Sequence, residues 1–208
     1  MLKELFEKDF FITFPHKPSL TPNVRESVMN ADFTLSDHHA CDNDCPQYNG
    51  CNYEVLRISN PLQKPVNVVD LNDVLGILAD PFHDNADYVL CTNEDFIVAE
   101  LTCISNDYFK SNDGTTYPQG KRAKARAQLE TAYLAFYACP PVKQFVVRHI
   151  PRAILAYRAN DMQSNTQSAT HMESFVRMQY AVDNSMPRFP LTTGVEMEMV
   201  AYPQEYQV

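Results

Sequence analysis

Residues 87–102 read DYVLCTNEDFIVAELT, and this stretch predicts the centre of the fold. Two apolar runs, 88–91 and 96–101, flank a polar Thr-Asn-Glu-Asp turn, which is typical of a β-hairpin. Asp87 begins the first run, and Glu100 lies near the end of the second. Because the outer ends of two hairpin strands come together, we expect both carboxylates to lie close enough to bind one metal ion.

The segment that follows the hairpin predicts a long helix. Residues 121–137 read KRAKARAQLETAYLAFY, which is rich in alanine. Apolar side chains recur there at helical spacing, and Cys139-Pro140-Pro141 ends the pattern. Extended structure is predicted beyond this helix for residues 144–147, 153–157 and 195–201, and a second amphipathic helix is predicted for residues 171–182.

The residues before the hairpin predict shorter elements. Residues 53–59 indicate a strand, residues 66–69 indicate a short strand or the lead-in to a helix, and Asp70 is a good N-cap for a helix over residues 71–78. At the N-terminus, residues 2–14 predict a short helix that runs into a strand at the aromatic sequence FFITF. One or two helical turns are predicted for residues 23–29.

Composition predicts a single domain, 1–208, because 208 residues are enough for one substantial core. The N-terminus has acids among its apolar residues, and no apolar run reaches the about 18 residues that a membrane span requires. These features favour a cytoplasmic protein without a membrane partner. In that compartment six cysteines indicate reduced thiols or metal ligands rather than disulfides.

The distribution of charge favours a nucleic-acid partner although the net charge is -9. Between residues 121 and 158 there is a single acid, Glu130, against eight cations. Such a cluster predicts one electropositive face, although a solvated helix face with scattered arginines is an equally simple explanation. The eight cations are Lys121, Arg122, Lys124, Arg126, Lys143, Arg148, Arg152 and Arg158.

A Cys/His-rich loop at residues 36–52 reads SDHHACDNDCPQYNGCN. Thiolates and imidazoles are the ligands that zinc prefers, and a loop with few apolar residues needs something to order it. The predicted ligands are Cys41, Cys45, Cys51 and His39. Cys139 could replace the histidine, and a set of four cysteines would also suit an iron–sulfur cluster. The alternative is a polar loop with free thiols.

The order of helix, hairpin, helix and strand resembles the PD-(D/E)xK nuclease superfamily, which has a restriction-endonuclease-like core. The resemblance covers about residues 66–158. Ala86-Asp87-Tyr88 matches the start of its first motif, and Val98-Ala99-Glu100-Leu101 matches the second. Lys124 to Leu129 is similar to its KxxxQL segment, and Gln128 with Tyr133 is similar to a motif of the RecB-like branch.

This resemblance implies an α/β fold, with a central mixed sheet flanked by helices and elaborations at both ends of the chain. It implies that Asp87 and Glu100 bind Mg²⁺ or Mn²⁺, which would activate water for attack on a phosphodiester. Gln128 would contact phosphate or that water. The remaining implied nucleic-acid contacts are Arg122, Arg126, Tyr133 and Arg152.

The sequence departs from the family pattern at Thr102, which stands where the family has a lysine. That lysine normally orients the water and offsets developing charge. One explanation is that Lys121 or Lys124 reaches the metal site from the following helix. The other is that the chain has lost catalysis and serves as a structural or nucleic-acid-binding subunit, with partner subunits in a larger assembly.

Overall fold

The structure is a computed structural model that describes residues 1–36, 54–79, 85–104, 121–159, 188–201 and 204–208. Within these residues the fold is α/β, with one seven-stranded mixed sheet, one three-stranded sheet and helices. The strands are β1 Glu26–Met29, β2 Phe33–Ser36, β3 Glu54–Ser59, β4 Val66–Asp70, β5 Tyr88–Cys91, β6 Asp95–Ile104, β7 Ile150–Ala159, β8 Arg188–Pro190, β9 Glu196–Ala201 and β10 Glu205–Gln207.

The helical elements lie at the N-terminus and between β6 and β7. The first three follow one another directly: α1 Leu2–Leu5, a π-helical turn Phe6–Phe10 and α2 Phe11–Thr13. A 3₁₀ turn at Leu71–Asp73 follows β4. The remaining two are α3 Lys121–Ala138 and α4 Pro140–Val146. Within the described residues, no helix is long and apolar enough to span a membrane.

The seven-stranded sheet has the order β1-β4-β5-β6-β7-β9-β8, and the smaller sheet has the order β10-β3-β2. Strands β1, β4, β5 and β6 are antiparallel neighbours, whereas β6, β7 and β9 run parallel. The parallel pairing of β6 and β7 requires a crossover connection, and α3 and α4 lie in it. Helix α3 therefore begins near the C-terminal end of β6 and runs back towards the start of β7.

Two apolar clusters divide the molecule into three layers. One cluster joins the helices to one face of the large sheet, which we call the helix face. The other joins the opposite face to the three-stranded sheet, and we call this the small-sheet face. Alternation along a strand assigns each residue to a face. In β6, for example, Phe96 and Val98 belong to the helix face, and Ile97 and Ala99 belong to the small-sheet face.

The predicted hairpin and long helix are confirmed. Strands β5 and β6 pair antiparallel with Tyr88 opposite Ala99. In α3 the predicted apolar stripe is buried, and the rings of Phe96 and Phe136 pack edge to face with centroids 5.7 Å apart. The strands predicted at residues 53–59, 66–69, 153–157 and 195–201 are also present, as β3, β4, β7 and β9.

The helix predicted for residues 71–78 is wrong. Asp70 does cap a turn, since its side chain accepts a hydrogen bond from the Asn72 N–H, but regular helix stops after Asp73. The helical spacing of the apolar residues in this segment reflects burial in consecutive turns rather than in a helix. The buried residues are Leu71, Val74, Leu75 and Leu78. At Leu78 the backbone forms a β-bridge with His16, which a continuing helix would prevent.

Three other local predictions are also wrong. Residues 144–147 lie mostly in α4, which begins at Pro140 because proline suits the first helical position. The FFITF sequence is helical, since Phe6 and Phe10 both pack against Phe136. Residues 23–29 contain a strand, β1, which extends the large sheet beside β4. The helix predicted for residues 171–182 lies outside the described residues.

The predicted central sheet is present, but helices cover only its helix face within the described residues. The three-stranded sheet covers the other face, and the sequence reasoning did not anticipate it. Its strands β2 and β3 follow one another in the chain, whereas β10 lies about 150 residues further on. The single-domain assignment of residues 1–208 stays a prediction.

Candidate metal centre

Asp87 stands immediately before β5 and is fixed by three contacts. Its backbone N–H donates to the Ala99 carbonyl at 3.1 Å, and its own carbonyl accepts from the Leu71 N–H at 2.8 Å. Its carboxylate atom Oδ2 accepts a hydrogen bond from the Leu101 N–H at 2.7 Å. The side chain is therefore held against the C-terminal half of β6 by a charge-assisted bond.

Glu100 lies in that half of β6, and only 6% of its surface is exposed. The β5–β6 register ends at the Tyr88–Ala99 pair, but Asp87 still bonds β6 on both sides of Glu100, through the Ala99 carbonyl and the Leu101 N–H. Asp87 therefore lies beside the backbone of Glu100. That the two carboxylates share one metal ion stays a prediction, and we call Asp87 and Glu100 the acid pair.

Glu100 belongs to the helix face, because it alternates with Phe96 and Val98 of β6, which pack in the helix-face cluster. Asp87 lies at the bend before β5, and its carboxylate is held at the N–H of Leu101. The second turn of α3 reaches the same end of the sheet, where Gln128 binds the Asn85 carbonyl.

Gln128 connects α3 to the strand that carries Asp87. Its side-chain amide donates a 2.7 Å hydrogen bond to the backbone carbonyl of Asn85, two residues before Asp87. The contact of Gln128 with phosphate or water stays a prediction. What the structure adds is a protein partner for the Gln128 amide, at the edge of the acid pair.

The predicted lysines lie in the first two turns of α3. Lys124 is exposed and precedes Gln128 by four residues, so it projects from the same side of the helix, about 6 Å nearer its N-terminus. Lys121 and Arg122 begin the helix, and their side chains lie outside the described part of the structure. Lys124 is thus the described lysine best placed to reach the acid pair.

The cations of residues 121–158 do not share one surface. Helix α3 has 18 residues and spans about 27 Å. Lys121, Arg122, Lys124 and Arg126 lie in its first two turns, whereas Lys143, Arg148 and Arg152 follow its other end, near the beginning of β7. The side chains of Lys121, Arg122 and Arg158 lie outside the described part of the structure. The cations whose side chains are described thus form two separated groups rather than the predicted single electropositive face.

Arg152 lies on the small-sheet face, opposite to the acid pair. Its Nε donates to Asp95 Oδ1 at 2.8 Å, and its Nη1 lies 3.5 Å from Glu198 Oε1. Arg188 also binds Glu198, with 3.3 Å between Nε and Oε1. The hydrogen bond to Asp95 raises the pKa of the Arg152 guanidinium. We call Arg152, Asp95, Glu198 and Arg188 the arginine network. Within it, the Arg152 guanidinium that was predicted to bind nucleic acid is bonded to two carboxylates.

Tyr133 is a core residue rather than a nucleic-acid contact, which corrects the sequence prediction. Its side chain is fully buried, and burial raises the pKa of its phenol well above 10.0. The hydroxyl lies 2.6 Å from the Arg152 carbonyl and 3.1 Å from the Phe96 carbonyl. A buried ring bonded in this way has no free face on which a base could stack.

Arg126 is exposed at the start of α3, but its guanidinium already has a protein partner. Nη2 donates a 2.8 Å hydrogen bond to the Pro190 carbonyl at the end of β8. One turn further along α3, Glu130 accepts from the backbone N–H and hydroxyl of Thr192. These contacts join α3 to the edge of the sheet, and a nucleic-acid role for Arg126 would have to share the guanidinium with Pro190.

The predicted cysteine site falls mainly outside the described residues, which omit His39, Cys41, Cys45 and Cys51. Cys139 is described, and its thiol is buried between the N-terminal helices and α3. Its Sγ accepts from the Thr13 hydroxyl at 3.4 Å and lies 3.7 Å from the Asp9 carbonyl. Among the described residues, no group of three or more His, Cys, Asp or Glu side chains could hold a metal.

The acid pair can still suit a hard divalent cation, because water and substrate oxygens complete the coordination of Mg²⁺ when proteins supply one or two carboxylates. Zinc is less well matched, since its sites usually have three or four protein ligands. The protein donors on the helix face are carboxylates, and this chemistry favours Mg²⁺ or Mn²⁺ over a softer metal.

Sequence reasoning missed two neighbours of the acid pair. Asn85 supplies the carbonyl that Gln128 binds, and its position two residues before Asp87 was the available signal. Tyr157 in β7 is paired with Thr102 in β6, and its half-buried ring packs against the helix-face cluster. It therefore stands beside the position where the family has a lysine. That pairing depends on the β6–β7 register, which no local pattern specifies.

Comparison of this chain with protein-family models, with curated proteins and with solved structures finds no match.

Proposed function

We propose that the protein is a divalent-metal-dependent nuclease that cleaves phosphodiester bonds in DNA or RNA, with a fold of the restriction-endonuclease-like class. One observation carries the proposal: the Asp87 carboxylate accepts a 2.7 Å hydrogen bond from the N–H of Leu101, the residue that directly follows the buried Glu100 in β6. Two carboxylates in this arrangement can bind Mg²⁺, which neutralises charge on the phosphorane and lowers the pKa of the attacking water.

The arrangement of elements supports the proposal. The hairpin of β5 and β6 is followed by α3 and then by β7, which lies parallel to β6. This order agrees with the one on which the resemblance to the PD-(D/E)xK superfamily rests. The helix expected before the hairpin is reduced to a 3₁₀ turn and further turns, so the agreement covers residues 87–158 rather than the whole of 66–158.

Residues on α3 would complete the site. Lys124, one turn before Gln128, is the residue we assign to offset negative charge in the transition state, in place of the lysine that Thr102 replaces. Arg122, Lys121 and Arg126 would hold the phosphate backbone. Such contacts do not depend on base sequence, and added salt would weaken them.

The test is a cleavage assay with Mg²⁺ or Mn²⁺ on plasmid DNA and on a labelled RNA. Asp87→Asn and Glu100→Gln should each lower the rate about 100-fold or more, because a metal supplies several kcal/mol of transition-state stabilisation. Glu94→Gln is the matched control. It changes an exposed acid in the same hairpin, whose ion pair with Lys64 lies at the surface. Activity that survives both acid-pair substitutions would refute the proposal.

A second candidate is a nuclease-like domain without catalysis that binds nucleic acid or partner subunits. The observation that favours it is Thr102, whose hydroxyl carries no charge and cannot act as the missing lysine. This candidate predicts that the wild-type protein binds nucleic acid without cleaving it at any Mg²⁺ or Mn²⁺ concentration. In that case Lys124→Ala would weaken binding, whereas Glu100→Gln would not.

A further inference from the structure

The hydrogen bond between Gln128 and Asn85 joins two elements that are far apart in sequence. Gln128 lies in the second turn of α3, on the side that faces the sheet edge, and its amide donates to the Asn85 carbonyl at 2.7 Å. Because an amide N–H has a directional preference, this bond fixes where the backbone enters β5. Only Ala86, which is fully buried, separates Asn85 from Asp87.

The position of Asp87 depends on that entry. The Asp87 backbone is bonded to Leu71 and Ala99, and its carboxylate accepts from the Leu101 N–H. These three bonds fix the position and direction of the Asp87 side chain beside Glu100. The Gln128 bond lies just upstream and restrains the backbone from the helix layer, whereas the other three restrain it from the sheet.

We propose that Gln128 is a positioning residue, which orients the Asp87 carboxylate through the backbone of Asn85 rather than by touching metal or substrate. Its effect on catalysis rests on the proposed nuclease function. Its effect on Asp87 does not, because the hydrogen bonds concerned join protein groups only. Removal of an outer contact of this kind typically lowers the metal affinity of a site by roughly 10- to 100-fold.

Two substitutions test this role. Gln128→Met keeps the length of the side chain and removes the donor, and Gln128→Glu replaces the donor with a negative charge. Gln144→Glu is the matched control, since Gln144 is an exposed glutamine on α4. The first readout is amide hydrogen exchange at Leu101, measured by NMR, because that N–H is bonded to the Asp87 carboxylate. The second is the Kd for Mn²⁺ alone. The third is the Kd for a nucleic acid without metal.

We expect both Gln128 variants to speed exchange at Leu101 about 5- to 10-fold, which corresponds to the loss of one hydrogen bond. We expect the Mn²⁺ Kd to rise about 10-fold and the metal-free nucleic-acid Kd to stay unchanged. The control should change none of these. A wild-type protein that binds no Mn²⁺, with exchange at Leu101 still accelerated in the variants, would refute the nuclease function and leave the positioning role supported.

Two outcomes would overturn the inference. Unchanged exchange at Leu101 in both Gln128 variants would show that the Asn85 bond does not orient Asp87, whatever the activity. A weaker nucleic-acid Kd, with unchanged Mn²⁺ binding and unchanged Leu101 exchange, would instead assign Gln128 to direct substrate contact. A loss of folding in Gln128→Glu alone is separated from these results by Gln128→Met, which introduces no charge.

Discussion

The two faces of the large sheet use carboxylates in different ways. On the small-sheet face, Glu198 is 6% exposed and lies within 3.5 Å of Arg152 and Arg188. On the helix face, Glu100 is equally buried, and its neighbour Asp87 binds the backbone N–H of Leu101. A carboxylate held by arginines has its charge balanced inside the protein.

This difference indicates that the arginine network, rather than the acid pair, has a structural role. A buried ion pair with good geometry stabilises or specifies a fold, and removing one partner leaves a buried charge without compensation. The arginine network also lies at the start of the parallel strands β6 and β7, whereas the acid pair lies near the C-terminal end of β6, where open α/β sheets commonly bind ligands.

Replacement of Arg152 by alanine should lower the free energy of unfolding by about 3 kcal/mol, because Asp95 and Glu198 would lose their shared partner. Urea denaturation at pH 7 measures the change. Arg188→Ala is the control and should cost under about 1 kcal/mol, since Arg188 is half exposed. If Arg152→Ala instead abolished nucleic-acid binding without a change in stability, the arginine network would be functional, and the contrast between the faces would fail.

Replacement of Tyr133 by phenylalanine should lower the free energy of unfolding by about 2 kcal/mol. The substitution removes a buried hydroxyl that lies within hydrogen-bonding distance of the Phe96 and Arg152 carbonyls, at the starts of β6 and β7. Thermal unfolding measures the loss, and a filter-binding assay should show an unchanged nucleic-acid Kd. Tyr137→Phe, at a half-buried tyrosine on the same helix, serves as the control. Weaker binding by Tyr133→Phe would restore the nucleic-acid role predicted from sequence.

Asp87→Ala should be less stable than Asp87→Asn by about 1 kcal/mol, because asparagine keeps an oxygen that accepts the Leu101 N–H and alanine does not. Both variants should lose cleavage activity equally, since neither has a carboxylate. Paired urea titrations and rate measurements separate the two effects. Equal stability of the two variants would mean that the Leu101 bond does not fix Asp87.

Glu26, on the edge strand β1, provides another carboxylate that binds backbone N–H groups. Burial alone raises the pKa of Glu26, but bonds from the N-terminal ammonium and from the N–H groups of Lys3 and Leu2 outweigh burial and lower it from 4.5. A lowered folded-state pKa stabilises the protein above pH 4.5, and this contribution is lost as the pH falls through the folded value. Glu26→Gln should therefore cost about 0.5 kcal/mol at pH 7.

The cost of Glu26→Gln should shrink towards zero as the solution is acidified, and unfolding measured at several pH values tests this. Glu205→Gln, at an exposed acid in β10, is the control and should show no such trend. A difference that stayed constant down to pH 3 would contradict the assignment of the effect to ionised Glu26.

Sequence reasoning succeeded where local pattern and tertiary environment agree. The 88–91 and 96–101 runs are buried on both faces, and turn residues separate them, so only a hairpin satisfies them. Helix α3 has a continuous apolar stripe and strong helix formers. The pairing of β5 with β6 could be predicted because the hairpin fixes its own register through its short turn.

Prediction failed where packing between distant segments decides the outcome. Leu71, Val74, Leu75 and Leu78 have helical spacing, yet the bridge from Leu78 to His16 holds this segment in turns. The separation of the cations into two groups follows from the direction and length of α3. The order of the basic residues along the chain does not reveal either quantity. Tyr133 occurred in a motif-like spacing, but its burial depends on strands β6 and β7 beneath it.

The pairing of β10 with β3 has a consequence for the order of folding. The antiparallel strands β4, β5 and β6 are near neighbours in sequence, so their contacts close short loops and form early. Strand β10 pairs parallel to β3 across about 150 residues, between Glu205 and Arg57 for example. During synthesis, the hairpin that carries the acid pair can thus assemble while β3 still lacks this neighbour. We expect the edge of β3 to remain unpaired until β10 emerges, which makes this edge the part of the small sheet that a chaperone would protect.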